Sequence, residues 1–109
     1  MEIWSPDQLK AKLEEEHKVF LKLFKKGCGS CRMSETATNK IEEKNKHGML
    51  FAKISVDDYP EMLEVSGTDV LPAFFVFADK KKQGQFIGFK GQKKLEDFID
   101  SSLEGGSHD

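Results

Sequence analysis

Residues 19–33 read VFLKLFKKGCGSCRM: an apolar run, two lysines, and then the only two cysteines of the chain. The run Val19–Phe24 is short and almost entirely apolar, which predicts a buried strand. Cys28 and Cys31 follow it at the entrance to a segment of helical character. Two thiols at this spacing can close a small disulfide and open it again, which is reversible two-electron chemistry that needs no cofactor.

The composition excludes several classes of protein. The length of 109 residues is typical of a single domain. Charged residues make up 33% of the chain, and their positive and negative charges nearly balance, which leaves a formal net charge of -2. We therefore expect no binding to nucleic acid or to an anionic membrane surface. No apolar stretch approaches the roughly 18 residues of a membrane span, and residues 1–4 lack the pattern of a secretory signal. These features predict a cytoplasmic protein, and in that reducing compartment a close cysteine pair is typical of catalysis or metal binding.

Helical patterns lie on both sides of the predicted strand. A capping-box pattern at Ser5 and Gln8, with Pro6 in the first turn, predicts that a helix begins there, after a short strand around residues 2–4. Beyond the cysteines, apolar residues recur at i, i+4 and i+8, which predicts one helix over about 28–46. Its buried stripe would consist of Met33, Ala37 and Ile41.

The second half of the chain adds further strands. Apolar runs predict strands at 49–56, 73–77 and 86–89, with a short helix at 60–65 and a polar loop at 79–85. A last helix carries apolar residues on one face up to Leu103. The order of elements predicts an α/β fold in which a central mixed sheet of four to five strands is flanked by four helices. We expect one domain over 1–103 and a flexible tail over 104–109.

The chain resembles the thioredoxin family in three sequence features and in the spacing between them. They are the sequence CGSCRM at 28–33 between a strand and a helix, Pro72 just before an apolar strand, and Gly91 after the last strand. The resemblance covers roughly residues 3–103 and implies the thioredoxin fold. It also implies a thiol–disulfide oxidoreductase that reduces disulfides in protein substrates and is recharged by a flavin-containing thioredoxin reductase drawing on NADPH.

The resemblance implies a role for each of these residues. Cys28 would be the attacking thiol, since a helix N-terminus favours a thiolate by about 1 kcal/mol, somewhat less than one pKa unit. Cys31 would resolve the mixed disulfide by attacking Cys28. Pro72 would be cis, with Leu71 lending backbone groups to an extended substrate, although a trans turn proline also suits this position. Gly91 would let the substrate backbone approach, although a plain turn glycine explains it almost as well.

An inert buried dithiol, or half of a zinc site, is the alternative interpretation of the cysteine pair. Zinc requires four ligands, and the chain has no second cysteine pair. Its histidines, which lack ligand spacing, are His17, His47 and His108. We therefore predict no metal site and no cofactor.

The active-site turn departs from the family pattern in two ways. Gly27 stands where thioredoxins usually have Trp, which reduces the apolar rim around Cys28. The turn Gly29-Ser30 has Ser30 where proline is usual, so it loses a rigid element and gains a hydroxyl that could hydrogen-bond a thiolate. We expect a shifted redox potential, since about 30 mV corresponds to 1.4 kcal/mol, but the sequence does not give the sign.

The third departure is Lys22, which stands where the family commonly has a buried Asp. Period two places Lys22 on the same strand face as Phe20, so we expect it to be enclosed. Lys53, on the adjoining strand, matches a lysine that the family commonly has near that Asp. The two like charges predict that Lys22 either lowers its pKa or finds an acid, such as Glu35 or Asp57.

We hypothesise that a charged Lys22 stabilises the thiolate of Cys31 or Cys28 and shifts the pair toward the reduced form. In the competing interpretation the lysine extends to solvent and has no redox role. Two functional alternatives also stay open. One is an interaction module that grips a partner through the surface of Cys28, Leu71 and Gly91 with little or no turnover, and the other is a more oxidising disulfide exchanger.

Overall fold

The computed structural model describes residues 1–104, and within them five strands form one mixed sheet with helices on both faces. In chain order the elements are β1 (Glu2–Ile3), α1 (Pro6–Glu14), β2 (Val19–Phe24), α2 (Gly29–Met33), α3 (Glu35–Lys44), β3 (Leu50–Ser55), a 3-10 turn (Pro60–Met62), α4 (Leu63–Ser66), β4 (Ala73–Ala78), β5 (Lys81–Ile87) and α5 (Gln92–Glu104). In space the strands lie in the order β1-β3-β2-β4-β5. Strands β1, β3 and β2 run parallel, β4 runs antiparallel to β2, and β5 runs antiparallel to β4, which confirms the predicted mixed sheet.

Strand β2 lies at the centre of the sheet and has the predicted bounds. Its side chains alternate between two apolar cores, because successive residues of a strand point to opposite faces. Leu21 and Leu23 pack into one core with Trp4, and Phe20 packs into the other with Phe74. Lys22 shares the face of Phe20, as predicted. No helix within residues 1–104 has the length and apolarity to cross a membrane.

The predicted capping box at the start of α1 is present. The Gln8 N–H donates to Ser5 Oγ at 3.2 Å, and the Ser5 N–H donates to Gln8 Oε1 at 2.8 Å. This geometry satisfies two backbone donors that the first turn of a helix leaves without partners. It begins α1 at Pro6 and leaves Trp4, 4% exposed, in the core next to Leu9.

The single helix predicted over about 28–46 is wrong, because the chain breaks at Ser34 into α2 and α3. The Ser34 hydroxyl donates to the carbonyl oxygen of Cys31 at 2.8 Å, and such bonds to the preceding turn bend helices. The break also overturns the predicted stripe, since Met33 is 71% exposed while Ala37 and Ile41 are buried. Asn45, at φ 38°, ends α3 two residues before the predicted end.

The polar loop predicted over 79–85 is also wrong, because most of it belongs to β5. Asp79 and Lys80, both at positive φ, form the two-residue connection, and Ala78 pairs directly with Lys81. Two consecutive positive-φ residues match the right-handed twist of a hairpin. Strand β5 therefore runs from Lys81 and ends at Ile87, before the predicted end at residue 89.

The remaining helices need smaller corrections. The helix predicted over 60–65 is a 3-10 turn followed by the four residues of α4. Helix α5 buries Leu95 and Ile99 and includes Glu104, which the sequence assigns to the tail. The rest of the predicted tail, with His108, lies outside the described residues, and the domain boundary stays a prediction.

Candidate active site

The cysteine pair lies where the chain leaves β2 and enters α2. Gly27, at φ +74°, makes the turn, a conformation that side chains other than glycine rarely adopt. Cys28 is the N-cap residue of α2, and its Sγ accepts a hydrogen bond from the Cys31 N–H at 3.2 Å. The two sulfurs are joined in a disulfide. Cys28 is half-buried and Cys31 is 3% exposed, so a partner in solution reaches Cys28 first.

A second segment approaches the pair from the loop before β4. The Leu71–Pro72 peptide bond is cis, as the resemblance implies. Ser30 joins this segment to the active-site turn, since its Oγ donates to the Leu71 carbonyl oxygen at 3.3 Å. The same Oγ lies 3.7 Å from Cys28 Sγ. One exposed hydroxyl therefore touches both the accessible sulfur and the Leu71 backbone.

Gly91 lies just before α5 and adopts φ +104°. This conformation alone is enough to explain why position 91 is a glycine, because residues with a side chain rarely adopt it. The Gly91 carbonyl accepts from the Leu95 N–H at 3.2 Å, in the first turn of α5. A Cβ added at Gly91 would meet no atom within 4 Å, so the position is also open enough for a second backbone to approach. Its role toward a substrate stays a prediction.

Lys22 lies directly beneath Cys31. Its side chain is 0% exposed, and its Nζ donates to the Cys31 carbonyl oxygen at 2.8 Å and to Glu35 Oε2. The expectation of enclosure is thus confirmed, and the interpretation in which Lys22 extends to solvent is wrong. Of the two acids considered, Glu35 is the partner, while Asp57 instead accepts from the Lys26 N–H at 2.9 Å.

Lys53 completes a charge cluster, which we define as Lys22, Glu35 and Lys53. Lys22 and Lys53 stand opposite each other on β2 and β3. Lys53 Nζ lies 3.4 Å from Glu35 Oε1 and 5.1 Å from the ring centre of Phe24. The carboxylate thus bridges two ammonium groups that would otherwise repel each other, and the cluster keeps a net charge of about +1 when all three groups are ionised.

The cluster shifts the titration of its members. Burial lowers the pKa of Lys22, and the hydrogen bond and negative charge of Glu35 oppose this effect without cancelling it. Burial works to raise the pKa of Glu35, but the hydrogen bond from Lys22 and the charges of both lysines outweigh it and lower that pKa. Glu35 therefore stays ionised at neutral pH and is a weak proton acceptor.

The two histidines within residues 1–104 have partners away from the cysteine pair. His47 Nε2 lies 2.7 Å from Asp100 Oδ1, and His17 Nε2 lies 3.3 Å from Glu15 Oε1. Across residues 1–104 no group of three or more His, Cys, Asp or Glu side chains is arranged to hold a metal ion.

Two contacts of the site were absent from the sequence interpretation. One is the Ser30–Leu71 hydrogen bond, which joins segments 41 residues apart and has no local signal. The other is the hydrogen bond from Lys22 Nζ to the Cys31 carbonyl oxygen, which is made in addition to the expected pairing with Glu35. A signal for the second existed, because Glu35 follows Cys31 by four residues and this spacing places two helical residues on one face.

The family model named Thioredoxin matches residues 1–101. The chain belongs to the thioredoxin family. A thioredoxin of Chlamydia caviae is 27% identical over 77 residues, which are 71% of this chain and 74% of that protein. The crystal structure of reduced thioredoxin from Schistosoma mansoni has the same fold, with a TM-score of 0.76 at 24% identity over 93% of both chains.

A third relative is NADPH-dependent thioredoxin reductase 3 of Arabidopsis thaliana. It is 27% identical over 89 residues, which are 81% of this chain but 17% of that protein. This chain therefore resembles one part of a longer enzyme. Membership of the thioredoxin family, together with the Cys28–Cys31 pair, supports thiol–disulfide oxidoreductase chemistry.

Proposed function

We propose that this thioredoxin-family protein reduces disulfides in other proteins through the Cys28–Cys31 pair. The observation that carries the proposal is the disulfide between an accessible Cys28 and a buried Cys31, next to the Leu71 carbonyl that Ser30 contacts. A reductase needs this asymmetry, because one sulfur must be accessible to attack the substrate and the other must be close enough to attack the first.

The proposed reaction proceeds in two exchanges. The Cys28 thiolate attacks one sulfur of the substrate disulfide, which forms a mixed disulfide and releases the other substrate sulfur as a thiolate. Cys31 then loses its proton to water and attacks Cys28 Sγ, which closes the Cys28–Cys31 disulfide and releases the second substrate thiolate. Counted from the dithiol, the protein loses two electrons and two protons, one proton when Cys28 ionises and one from Cys31. The substrate gains the two electrons, and its two thiolates take up two protons from water at neutral pH.

Lys22 has a tuning role in this proposal. When Cys31 ionises, the new negative charge forms on the residue whose carbonyl oxygen already accepts from Lys22 Nζ at 2.8 Å. A positive charge held against the backbone of the same residue favours the thiolate over the thiol. The thiolate exists only in the reduced pair, so Lys22 shifts the couple toward the reduced form.

We further propose that a flavin-containing thioredoxin reductase recharges the pair with electrons from NADPH, and that the protein works in the cytoplasm. Family membership supports an electron donor of this kind, and the name of the Arabidopsis relative associates that protein with NADPH. Stepwise reduction by such an enzyme would make the protein a carrier of electron pairs between the reductase and disulfide-containing proteins.

Insulin reduction with dithiothreitol tests the reductase. We expect the wild-type protein to accelerate precipitation of the insulin B chain above the uncatalysed rate, and Cys28→Ser to abolish the acceleration. Cys31→Ser should instead accumulate the mixed disulfide, visible by mass spectrometry. Failure of the wild-type protein to accelerate the reaction would eliminate the reductase proposal.

An interaction module with little turnover is the second candidate. It is favoured by the replacement of the family's buried Asp with Lys22 and by the low pKa of Glu35, which together leave Cys31 without a strong base nearby. A more oxidising exchanger is the third candidate, since Lys22 stabilises the reduced form. The equilibrium potential against glutathione identifies this third candidate by a value well above about -270 mV, the usual figure for thioredoxin.

A further inference from the structure

Ser30 shares one proton between two acceptors. Its Oγ donates to the Leu71 carbonyl oxygen at 3.3 Å and lies 3.7 Å from Cys28 Sγ. A hydroxyl carries a single proton, so it donates to one of these atoms at a time. Ser30 is exposed, and rotation about a single staggered torsion is enough to turn the hydroxyl from one acceptor to the other.

The oxidation state of Cys28 decides which acceptor is stronger. In the disulfide form the sulfur is a weak acceptor, and the Ser30 hydroxyl donates to the Leu71 carbonyl oxygen, as the structure has it. In the dithiol form Cys28 can ionise, and hydrogen bonds to a charged acceptor are roughly twice as strong as neutral ones. Reduction therefore reverses the preference of the Ser30 hydroxyl.

We propose that Ser30 is a redox-linked switch for substrate binding. With the pair oxidised, its hydroxyl takes one of the two lone pairs of the Leu71 carbonyl oxygen, and with the pair reduced it turns to the Cys28 thiolate and leaves both lone pairs open to an N–H from an extended polypeptide. The proposal rests on the reductase function, because only a protein that exchanges disulfides with polypeptides uses this difference.

The switch gives the two forms of the protein different affinities for the same polypeptide. The reduced form, which is ready to react, presents the Leu71 carbonyl to the incoming chain. Closing the Cys28–Cys31 disulfide removes the thiolate, so the hydroxyl returns to the carbonyl oxygen and competes with the bound backbone for one of its two lone pairs. Release of the reduced product is thereby coupled to the step that completes its reduction.

A binding experiment with an unreactive polypeptide tests the switch. The probe is insulin B chain whose cysteines are alkylated with iodoacetamide, which leaves it extended, neutral at the modified sites and unable to exchange. We expect reduced wild-type protein to bind it about three to ten times more tightly than the oxidised protein, the effect of one hydrogen bond. Ser30→Ala should bring this ratio close to one, and Ser30→Thr, which keeps the hydroxyl, should restore it.

A matched control and a direct readout complete the test. Ser101→Ala removes a hydroxyl of the same kind from exposed α5, where it donates to Phe98 O at 3.2 Å, and should leave the ratio unchanged. The carbonyl ¹³C resonance of Leu71 should move on reduction in the wild-type protein and stay in place in Ser30→Ala.

Two results would overturn the switch: a Leu71 carbonyl resonance that does not respond to reduction, or an affinity ratio in Ser30→Ala equal to that of the wild-type protein. Either result could occur while insulin reduction is still accelerated, in which case the reductase stands and the switch is rejected. Absence of insulin reduction would instead reject the function on which the switch rests.

Discussion

The charge cluster beneath Cys31 makes an asymmetric prediction about stability. Glu35→Gln keeps the shape of the side chain but removes the counter-charge of Lys22, which is 0% exposed and faces Lys53 across the strand pair. Lys22→Met removes the buried charge itself. In that variant Glu35, whose side chain is 37% exposed, still has Lys53 at 3.4 Å. The first change leaves a buried charge without its partner and the second does not.

The expected magnitudes follow from burial. Removing one partner of a buried ion pair costs about 3–5 kcal/mol, but water around Glu35 weakens this pair, so we expect Glu35→Gln to lower the free energy of unfolding by about 2–3 kcal/mol at pH 7. Lys22 can limit the loss by releasing its proton. Its ordinary pKa is 10.5, so this release at pH 7 sets a ceiling of about 5 kcal/mol. Lys22→Met should change stability by less than about 1 kcal/mol, since replacing a buried charge with an apolar chain is often neutral.

The loss of stability in Glu35→Gln should also depend on pH. A lysine whose pKa is lowered by folding binds fewer protons in the folded protein than in the unfolded chain, so stability rises with pH from the lowered pKa up to 10.5. At pH 9 the ceiling falls to about 2 kcal/mol, and the deficit of Glu35→Gln should shrink accordingly.

Urea unfolding of the disulfide form measures both effects. Trp4, the only tryptophan and 4% exposed, gives the fluorescence signal. Midpoints are compared at pH 7 and pH 9 with the slope held in common. Equal losses from Glu35→Gln and Lys22→Met, or a Glu35→Gln deficit that is the same at both pH values, would refute the reasoning that Lys22 is a buried charge held by Glu35.

Three further predictions concern the redox potential, a helix cap and a strand glycine. Lys22→Met should make the midpoint potential against glutathione more negative by about 10–30 mV, because the reduced form loses a positive charge beside the Cys31 thiolate; an unchanged or higher potential contradicts the tuning role. Ser5→Ala should lower the free energy of unfolding in urea by about 1 kcal/mol through loss of the cap, and no loss would mean that the cap contributes nothing. Gly84→Ala should cost about 1–2 kcal/mol in the same assay, because the added methyl overlaps Ser102 Oγ; an unchanged midpoint would show that Ser102 turns away without cost.

The fold was predictable where burial decides the local structure. The bounds of β2 follow from an apolar run between charged residues, and the start of α1 follows from two side chains that satisfy backbone donors. Prediction failed where one local hydrogen bond or turn competes with the regular pattern. The Ser34 hydroxyl breaks the helix after Met33, and Asp79 and Lys80 form a tight hairpin in a stretch whose polarity is typical of a loop.

The site was predictable in its residues and less so in its contacts. Enclosure of Lys22 follows from the two-residue period of a strand, and that property belongs to the sequence itself. Its pairing with Glu35 instead of Asp57 depends on how α3 crosses the sheet. Asp57 also lies near the cysteine pair, where it accepts from the Lys26 N–H, so the sequence alone does not decide between the two acids. The Ser30 contact with Leu71 depends likewise on how a distant loop packs, which no local pattern encodes.

The two edge strands of the sheet determine how readily a strand from another chain could pair with it. An edge strand exposes unpaired backbone groups that can recruit a strand from another chain, and proteins resist this with short edges and lysines. Here one edge is the two-residue β1, and the other is β5, which begins with the exposed Lys81 and Lys82. Under the proposed reductase function, the protein would meet partly unfolded chains that carry unpaired strands. Edges of this kind would keep its own sheet from serving as a template for their assembly.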